Sequence, residues 1–358
     1  MRVLIVSTAA MISPPESYGG IEKICFDLAD SLGKLGHTVA LAAPQGSRPP
    51  NDKVEIIPTV DLKTQGYQEN TAVEYYGAKI KEWAEKGDFV VSDHSHSKFA
   101  SYYIKDNDLA GKVAYIPTVH NMSTIAYPIR KPSIICLSKS HAEVIEQRHG
   151  YCCKYVYNGL DVSQFRPILK KKLKTNRFAI VGRPNPEKNM LEAVDVCKKA
   201  NVPCDVVAGR LSVEPTDYVV KLAQACLFGT PWVYHAQLTH EAKNQIMARA
   251  RATLITYGGR DSRGYYQEPF GLVAAESLLL GTPVVGYDCG ALREVVRQGV
   301  DGFVVPRNDQ EALIRAMGEV DALDPQEIHF HAKKQWSHDR MGADYEALFK
   351  SVLGGERW

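Results

Sequence analysis

This chain of 358 residues lacks long apolar runs, CxxC cysteine motifs and a strong net charge of either sign. No apolar run approaches the roughly 20 residues that cross a bilayer, which excludes an ordinary membrane-spanning helix. The eight cysteines are scattered without a CxxC ladder, so they favour reduced thiols in a cytoplasmic protein. A net charge of only +2 argues against a nucleic-acid partner held by bulk electrostatics.

Two ligand-binding motifs are also missing or misplaced. The fingerprint GxGxxG occurs nowhere, which counts against a nicotinamide-dependent dehydrogenase. The run Asp106-Asn107-Asp108 resembles a DxD metal motif, but it follows a polar, helical stretch rather than a strand. We therefore expect a solvated loop at this position, and neither a catalytic metal nor a cofactor.

The sequence consists mainly of short apolar runs that alternate with helical patterns. Buried strands are expected at residues 3–6, 39–42, 89–91, 113–116 and 134–137, and then at 177–181, 205–208, 232–234, 252–256, 283–286 and 303–305. This alternation predicts an α/β fold with parallel sheets and helices on both faces. The length suits two such domains.

The expected division is a Rossmann-like domain at 1–168, a second one at 175–338, and a C-terminal helix within 339–358 that packs back towards the first domain. Ligands of doubly wound sheets bind at the carboxyl ends of the strands, and here also in the cleft between the domains. The lysine-rich stretch at 170–174 has no periodicity and is expected to be a solvated connector. Its alternative is a weak peripheral contact with the inner membrane face.

The run QEPFGLVAAE contains two carboxylates, Glu268 and Glu276, eight positions apart. Proline is favoured in the first turn of a helix, so Glu268 is expected just outside a helix N-terminus and Glu276 two turns inside it. The amides of Phe270, Gly271 and Leu272 would then point out of the helix end, where an anion such as a diphosphate is favoured. This layout suits a nucleotide-sugar.

The run GRPNPEKN follows an expected strand and carries Arg183 and Lys188 on a proline-restricted loop. Two fixed cations can stabilise the charge that develops on a leaving diphosphate. Because surface cations are common, this loop alone is weak evidence. Two carboxylates alone would also suit a glycoside hydrolase, but that enzyme would need neither these cations nor a helix end for phosphate.

Glycines and histidines follow expected strands in the first half of the chain. Gly19 and Gly20 open the first helix and allow a backbone to approach a ligand. His94 and His96 follow one strand and could bind an acceptor or cap the strand, while His120 follows another strand. The two histidines lack a third ligand nearby, which argues against a metal site.

Taken together, the E-x7-E run, the cation loop and the Thr-Val-His-Asn strand end closely resemble retaining GT-B glycosyltransferases, the group 1 family of glycogen-synthase-like and sucrose-synthase-like enzymes. The resemblance covers nearly the whole chain. It implies two Rossmann-like domains facing each other across a cleft. It also implies transfer of a hexose from a nucleotide-diphosphate sugar to a hydroxyl, with retention and without metal.

The resemblance further implies roles for individual residues. Glu268, Arg183, Lys188 and His120 would be catalytic, with the two cations on the leaving diphosphate. Donor binding would involve Glu276 on the ribose, the amides of Phe270, Gly271 and Leu272, and the loop at Gly19 and Gly20. Arg260 and Tyr265, in a loop rich in Arg and Tyr, are acceptor-side candidates with His94 and His96; a mobile surface loop is the alternative.

The donor base, the acceptor and two rival functions stay open at this point. UDP is our first expectation and GDP the second, and the acceptor could be a small metabolite, a polysaccharide intermediate or a lipid-linked sugar. One rival is a nucleotide-sugar isomerase on the same fold. The other is a non-catalytic nucleotide-sugar-binding protein, which would have little need of all four charged residues.

Overall fold

The chain forms two compact units in the computed structural model. The structure describes residues 1–16, 19–63, 65, 72–95, 97–122, 127, 129, 132–208, 216–226, 231–236, 238–258, 260–261 and 264–358. Unit 1 comprises Met1–Pro15, Gly19–Asp161 and Ser337–Trp358, and unit 2 consists essentially of Val162–Trp336. The first unit therefore ends before the expected boundary at residue 168, and the lysine-rich stretch belongs to unit 2.

Unit 1 is built on a five-stranded parallel sheet. Its strands are β1 (Arg2–Val6), β2 (Thr38–Ala43), β3 (Val54–Pro58), β4 (Phe89–Asp93) and β5 (Val113–Pro117), in the order β3-β2-β1-β4-β5. A short parallel pair follows, β6 (Ile134–Cys136) with β7 (Cys153–Tyr155). The helices between the strands are α1 (Gly20–Lys34), α2 (Ala72–Glu85), α3 (Phe99–Asp106) and α4 (Lys139–His149).

Unit 2 contains a six-stranded parallel sheet. Its strands are β8 (Phe178–Gly182), β9 (Cys204–Ala208), β10 (Trp232–Ala236), β11 (Ala252–Ile255), β14 (Val284–Tyr287) and β15 (Gly302–Val305), in the order β10-β9-β8-β11-β14-β15. A two-stranded antiparallel pair, β12 (Arg260–Asp261) and β13 (Gly264–Tyr265), lies outside this sheet. The helices are α5 (Met190–Lys199), α6 (Thr216–Ala225), α7 (His240–Arg249), α8 (Leu272–Leu279), α9 (Leu292–Val295), α10 (Gln310–Glu319) and α11 (Pro325–Gln335).

Each parallel sheet has a point at which its strand order reverses. In unit 1 this point lies between β1 and β4, and in unit 2 it lies between β8 and β11. The central strands are buried on both faces, as the apolar runs predict. The prediction of two doubly wound α/β units is confirmed, and the loops after these four strands are where such sheets bind ligands.

The lysine-rich stretch is only partly solvated. Lys174 Nζ donates to Ala248 O at 2.9 Å and to Thr282 Oγ1 at 2.8 Å, and Lys171 Nζ donates to Asp321 O at 2.7 Å. The expectation of a solvated connector is therefore wrong for Lys174, whereas Lys171 is exposed. The carbonyl of Ala248 lies at the C-terminal end of α7, where the helix dipole favours a cation.

The last helix, α12 (His338–Leu353), belongs to unit 1 and packs against α1. The His338 Nε2 atom lies 3.0 Å from Asp30 Oδ2, which joins the start of α12 to the end of α1. Among the helices that the structure describes, none has the length and apolar content needed to cross a membrane.

Candidate functional site

Lys188 lies in the loop that follows β8 in unit 2. The Asn185 side chain accepts a hydrogen bond from the Lys188 backbone N–H at 3.1 Å and so caps a 3-10 turn at Pro186–Lys188. Asn189 then takes a left-handed conformation with φ 48°, which ends the turn before α5 begins. The apolar pattern of the sequence predicts one continuous helix over residues 187–200; the structure instead has this turn, and α5 begins only at Met190.

Two tyrosine rings surround the Lys188 ammonium. Lys188 Nζ lies 4.0 Å from the ring centroid of Tyr257, which follows β11, and 4.6 Å from that of Tyr266. The Tyr257 hydroxyl donates to Val181 O in β8 at 2.8 Å and so links the two strands at the reversal point of the sheet. A cation over an aromatic face gains about 0.5–2 kcal/mol, so both rings favour this position of the ammonium.

Glu268 is the ionic partner of Lys188. Lys188 Nζ lies 2.5 Å from Glu268 Oε2, and the Tyr266 hydroxyl donates to the same oxygen at 3.0 Å. Burial alone would raise the pKa of Glu268, but the Lys188 charge and the hydrogen bonds from Lys188, Tyr266 and the Gly271 amide outweigh it and lower that pKa. The carboxylate is therefore ionised at neutral pH. Burial and the neighbouring Glu268 raise the pKa of Tyr266 well above its usual value, so this hydroxyl stays protonated.

The backbone of Glu268 is held by the turn that precedes α9. The Glu268 carbonyl accepts a hydrogen bond from Ala291 N at 2.9 Å, and Gln267 Oε1 accepts one from Gly290 N at 3.0 Å. A Cβ atom at Gly290 would lie 2.2 Å from Glu268 O. Glycine is therefore required at position 290 by the close approach of the Glu268 backbone.

The helix that follows Glu268 begins later than the sequence predicts. Gly271 has φ 99°, a left-handed conformation, and α8 starts at Leu272. Pro269 is thus outside the helix, and Glu276 lies about one turn inside α8 rather than two. The Gly271 amide donates to the Glu268 carboxylate. For the amides of Phe270, Gly271 and Leu272 the diphosphate role stays a prediction.

Glu276 pairs with a lysine that the sequence did not indicate. Lys243 Nζ on α7 lies 2.6 Å from Glu276 Oε2 on α8, and each side chain is 14% exposed. Arg183, by contrast, comes directly after β8 on the same loop as Lys188 and is half-buried. Its role on a diphosphate stays a prediction.

In unit 1 the structure brings His94 and His120 together at the reversal point of the sheet. His94 Nδ1 lies 3.0 Å from His120 Nε2, and His94 Nε2 lies 3.0 Å from Ser92 Oγ. Burial lowers the pKa of His94 to about 3, so its imidazole is neutral. His96 lies outside the described residues.

The glycines before α1 have a packing role. A Cβ atom at Gly19 would lie 2.6 Å from Pro15 Cβ, so Pro15 already occupies that space. Gly20 is the first residue of α1, and Thr8 Oγ1 donates to the Glu22 carboxylate one turn away from this helix start. Donor binding at Gly19 and Gly20 stays a prediction.

The other candidate residues lie away from these contacts or outside the described side chains. Arg260 and Tyr265 pair through their backbones in the β12–β13 hairpin, and their side chains are not among those described. Asp106 is the last residue of α3. Within the part of the chain that the structure describes, no group of three or more His, Cys, Asp or Glu side chains is placed to hold a metal ion.

Three residues of the site were missed by sequence reasoning: Tyr257, Tyr266 and Lys243. The position of Tyr257 directly after an expected strand, and of Tyr266 two residues before Glu268, could have indicated the two rings. Lys243 has no comparable local signal, because its contact depends on how two helices pack.

Comparisons with known proteins match each half of the chain to a glycosyltransferase family. A family described as "Glycosyl transferases group 1" matches residues 161–328, and one described as "Glycosyltransferase Family 4" matches residues 18–164. The D-inositol 3-phosphate glycosyltransferase of Streptomyces griseus subsp. griseus is 51% identical over 53 residues. That segment is 15% of this chain and only 11% of that relative.

Solved structures extend the similarity over the whole fold. AviGT4, a glycosyltransferase involved in avilamycin A biosynthesis, matches with a TM-score of 0.77 and 23% identity, over 100% of this chain and 99% of that one. Anabaena Alr3699/HepE in complex with UDP and glucose matches with a TM-score of 0.71 and 16% identity, over 98% of this chain and 100% of that one. These TM-scores establish the fold, and the two family matches together cover most of the chain. The protein is therefore an enzyme of the group 1 glycosyltransferases, with the GT-B fold.

Proposed function

We propose that the protein is a retaining hexosyltransferase that moves a hexose from a nucleotide-diphosphate sugar to an acceptor hydroxyl. UDP-sugars are the first choice of donor and GDP-sugars the second. The observation that carries the proposal is the contact of Lys188 with Glu268 and two tyrosine rings at the reversal point of the unit 2 sheet.

This arrangement suits a donor that is anionic at one end and hydroxylated at the other. Before a donor binds, Lys188 and Glu268 neutralise each other. A diphosphate would share the Lys188 ammonium, together with Arg183 on the same loop. Glu268 could then accept hydrogen bonds from the hydroxyls of the sugar. A charge-assisted contact of this kind is worth about 1.5–3 kcal/mol.

In the proposed reaction the bond between the anomeric carbon and the diphosphate oxygen breaks, and a bond from that carbon to the acceptor oxygen forms. The acceptor's proton passes to the departing diphosphate, which leaves carrying the electron pair of the broken bond. Lys188 and Arg183 stabilise the charge that develops on the leaving oxygen. The chain's own residues thus supply positioning and electrostatic stabilisation, and no side chain is assigned as general base.

The remaining roles rest on family resemblance. We assign Glu276 to the ribose hydroxyls and His120 to the donor sugar, and we propose that transfer occurs in the cytoplasm without a metal ion. The donor preference is supported by the UDP and glucose in the Anabaena Alr3699/HepE structure. Relatives that act on inositol phosphates match only short segments, so a polyol acceptor is one option beside polysaccharide intermediates and lipid-linked sugars.

Calorimetric titration with UDP, GDP and ADP in EDTA tests the proposal. We expect one of the three to bind, and Lys188→Ala to weaken that binding while the exposed Lys199→Ala does not. The sugar conjugates of the same base then identify the donor. If no nucleotide binds, the proposed function is wrong.

A second assay separates transfer from the rival functions. The identified donor is incubated alone and with a panel of hydroxyl acceptors, and the products are followed by NMR. Conversion of the donor without an acceptor would indicate an isomerase, and binding without conversion under any condition would indicate a non-catalytic protein. A product whose anomeric configuration is opposite to that of the donor would contradict retention.

A further inference from the structure

Two helices of unit 2 bring a lysine onto the second carboxylate of the E-x7-E run. Lys243 on α7 and Glu276 on α8 are 2.6 Å apart, Nζ to Oε2, and only 14% of each side chain is exposed. Among the described residues, Lys243 is the only ionic partner of Glu276. A carboxylate with so little access to water needs a partner for its charge, and Lys243 supplies it.

The backbones that carry this pair are fixed on both sides. The hydroxyl of Ser277, the residue after Glu276, donates to Thr282 O at 2.9 Å and lies 2.7 Å from Thr253 Oγ1 of β11. Thr282 Oγ1 in turn donates to Met247 O in α7 at 2.9 Å, so α7 is joined to the loop that follows α8. The pair is therefore set on rigid elements, as a preorganised binding group requires.

An ionised carboxylate has lone pairs for more than one donor. Its two oxygens offer about four acceptor sites, and the Lys243 ammonium uses one of them in the observed contact. The remaining sites can accept hydrogen bonds from two neighbouring hydroxyls of a ligand. A ribose carries such a pair at its 2′ and 3′ positions, whereas a dideoxyribose carries none.

We propose that Lys243 is a positioning residue for Glu276, and that it makes nucleotide binding depend on the ribose hydroxyls. Lys243 fixes the orientation of the Glu276 carboxylate through the 2.6 Å contact, without itself contacting the ribose. This inference rests on the proposed function, in which Glu276 binds the ribose. It goes further by naming the residue that positions Glu276 to distinguish a ribonucleotide from its 2′,3′-dideoxy analogue.

The test compares a nucleoside diphosphate with its 2′,3′-dideoxy analogue, both measured by calorimetry. The nucleotide is whichever of UDP, GDP and ADP the wild-type protein binds most tightly. The variants are Lys243→Met, Lys243→Arg, Glu276→Gln and the double variant Lys243→Met/Glu276→Gln. We expect the wild-type protein to prefer the ribonucleotide by tenfold or more. Lys243→Met should raise the Kd of the ribonucleotide about tenfold and that of the dideoxy analogue less than twofold.

The other variants separate positioning from a general structural effect. Lys243→Arg keeps the charge and should retain most of the preference for ribose. The double variant should lose no more of that preference than Glu276→Gln alone, because Lys243 acts through Glu276. A merely structural role would weaken both ligands equally and would not be rescued by arginine.

Three other outcomes would each contradict one part of the argument: the positioning role of Lys243, the ribose contact of Glu276, or the proposed function. If Lys243→Met changes both ligands by the same factor, changes neither, or tightens the ribonucleotide, Lys243 does not position Glu276. If the wild-type protein binds both ligands equally, Glu276 does not read the ribose and the inference fails, while donor binding itself stands. If no nucleotide binds to the wild-type protein, the proposed function fails and the inference fails with it.

Discussion

Lys188 Nζ lies 2.5 Å from Glu268 Oε2, although the two residues are 80 positions apart in the chain. Lys188 follows β8 and Glu268 precedes α8, so the contact joins two loops at the reversal point of the unit 2 sheet. The pair is 12% and 13% exposed, and two tyrosine rings lie against the ammonium. The ammonium and the carboxylate of the candidate site thus fix each other's positions before any ligand binds.

Replacing Lys188 by alanine should reduce kcat/KM by about 10²-fold or more, which corresponds to about 3 kcal/mol of transition-state stabilisation. The ammonium is expected to strengthen its contact as charge builds on the leaving diphosphate, so kcat should fall more than KM rises. Steady-state kinetics with the identified donor measures this. Lys199→Ala removes an exposed lysine from α5 and is the matched control, for which we expect wild-type rates. A loss of less than threefold for Lys188→Ala would remove Lys188 from catalysis.

The same pair should also contribute to stability. Removing one partner leaves a largely buried charge without compensation, so Lys188→Met and Glu268→Gln should each destabilise the protein by about 2–4 kcal/mol. The double variant removes both charges and should cost clearly less than the sum of the two single changes. Urea unfolding monitored by tryptophan fluorescence measures all three variants. Additive effects would show that the ion pair does not couple the two loops.

Much of the fold could be predicted because strands buried on both faces appear as continuous apolar runs. Four strands were missed. β12 and β13 have only two residues each. β3 has only two buried residues and ends at Pro58, and β7 is at most half-buried, so neither forms an apolar run. The helix after Lys188 was predicted to begin too early, because the left-handed Asn189 has no hydrophobic signature.

The site could be predicted only where its residues lie in a local motif. Glu268, Glu276, Arg183 and Lys188 could be chosen as candidates because strand ends, prolines and glycines surround them in the sequence. Which of them touch each other depends on tertiary packing, and the sequence gives no separation or angle for it. Lys243 illustrates the limit, since a lysine in a helix is usually solvated and only the neighbouring α8 makes it a partner of Glu276.

His94 should make stability fall in acid. Its pKa is about 3 in the folded protein, because the imidazole is fully buried, and about 6.5 when unfolded. Below pH 6.5 the unfolded chain binds a proton that the native chain does not, so this stabilisation is present above pH 6.5 and is lost as the pH falls towards 3. His94→Gln should reduce the pH dependence of the free energy of unfolding by up to about 1.4 kcal/mol per pH unit. The free energy of unfolding of both proteins at pH 7.5, 6 and 5 tests it; a wild-type-to-variant difference that does not change with pH would contradict the assignment.

Lys174 should make stability rise with pH in the same direction as His94, but in an alkaline window. Burial lowers its pKa to about 7, against an ordinary value of 10.5. Below pH 7 the lysine is charged in both states and the burial penalty is present in full. Between pH 7 and 10.5 the unfolded chain keeps a proton that the native chain releases, so raising the pH favours the native state. Compared with Lys174→Met, the wild-type protein should gain up to about 1.4 kcal/mol per pH unit between pH 7 and 9 in urea unfolding. An unchanged difference would mean that Lys174 stays charged at its contacts with Ala248 and Thr282.

Gly290 and Gly299 form a matched pair for testing how the backbone holds Glu268. Both have positive φ, 58° and 72°, but a Cβ atom at Gly290 would lie 2.2 Å from Glu268 O, whereas at Gly299 nothing lies within 4 Å. Gly299→Ala should therefore cost only about 1 kcal/mol, from the left-handed conformation, and leave nucleotide affinity unchanged. Gly290→Ala must in addition displace the Glu268 backbone, and with it the carboxylate that Lys188 contacts.

We expect Gly290→Ala to destabilise the protein by about 2 kcal/mol more than Gly299→Ala. It should also raise the KM for the donor and lower kcat, because a small displacement of a group that binds the reacting sugar is costly. Urea unfolding and steady-state kinetics on both variants separate the two effects. If Gly290→Ala loses stability but keeps full activity, the position of Glu268 is not critical for transfer, and the carboxylate's contact with Lys188 is structural rather than catalytic.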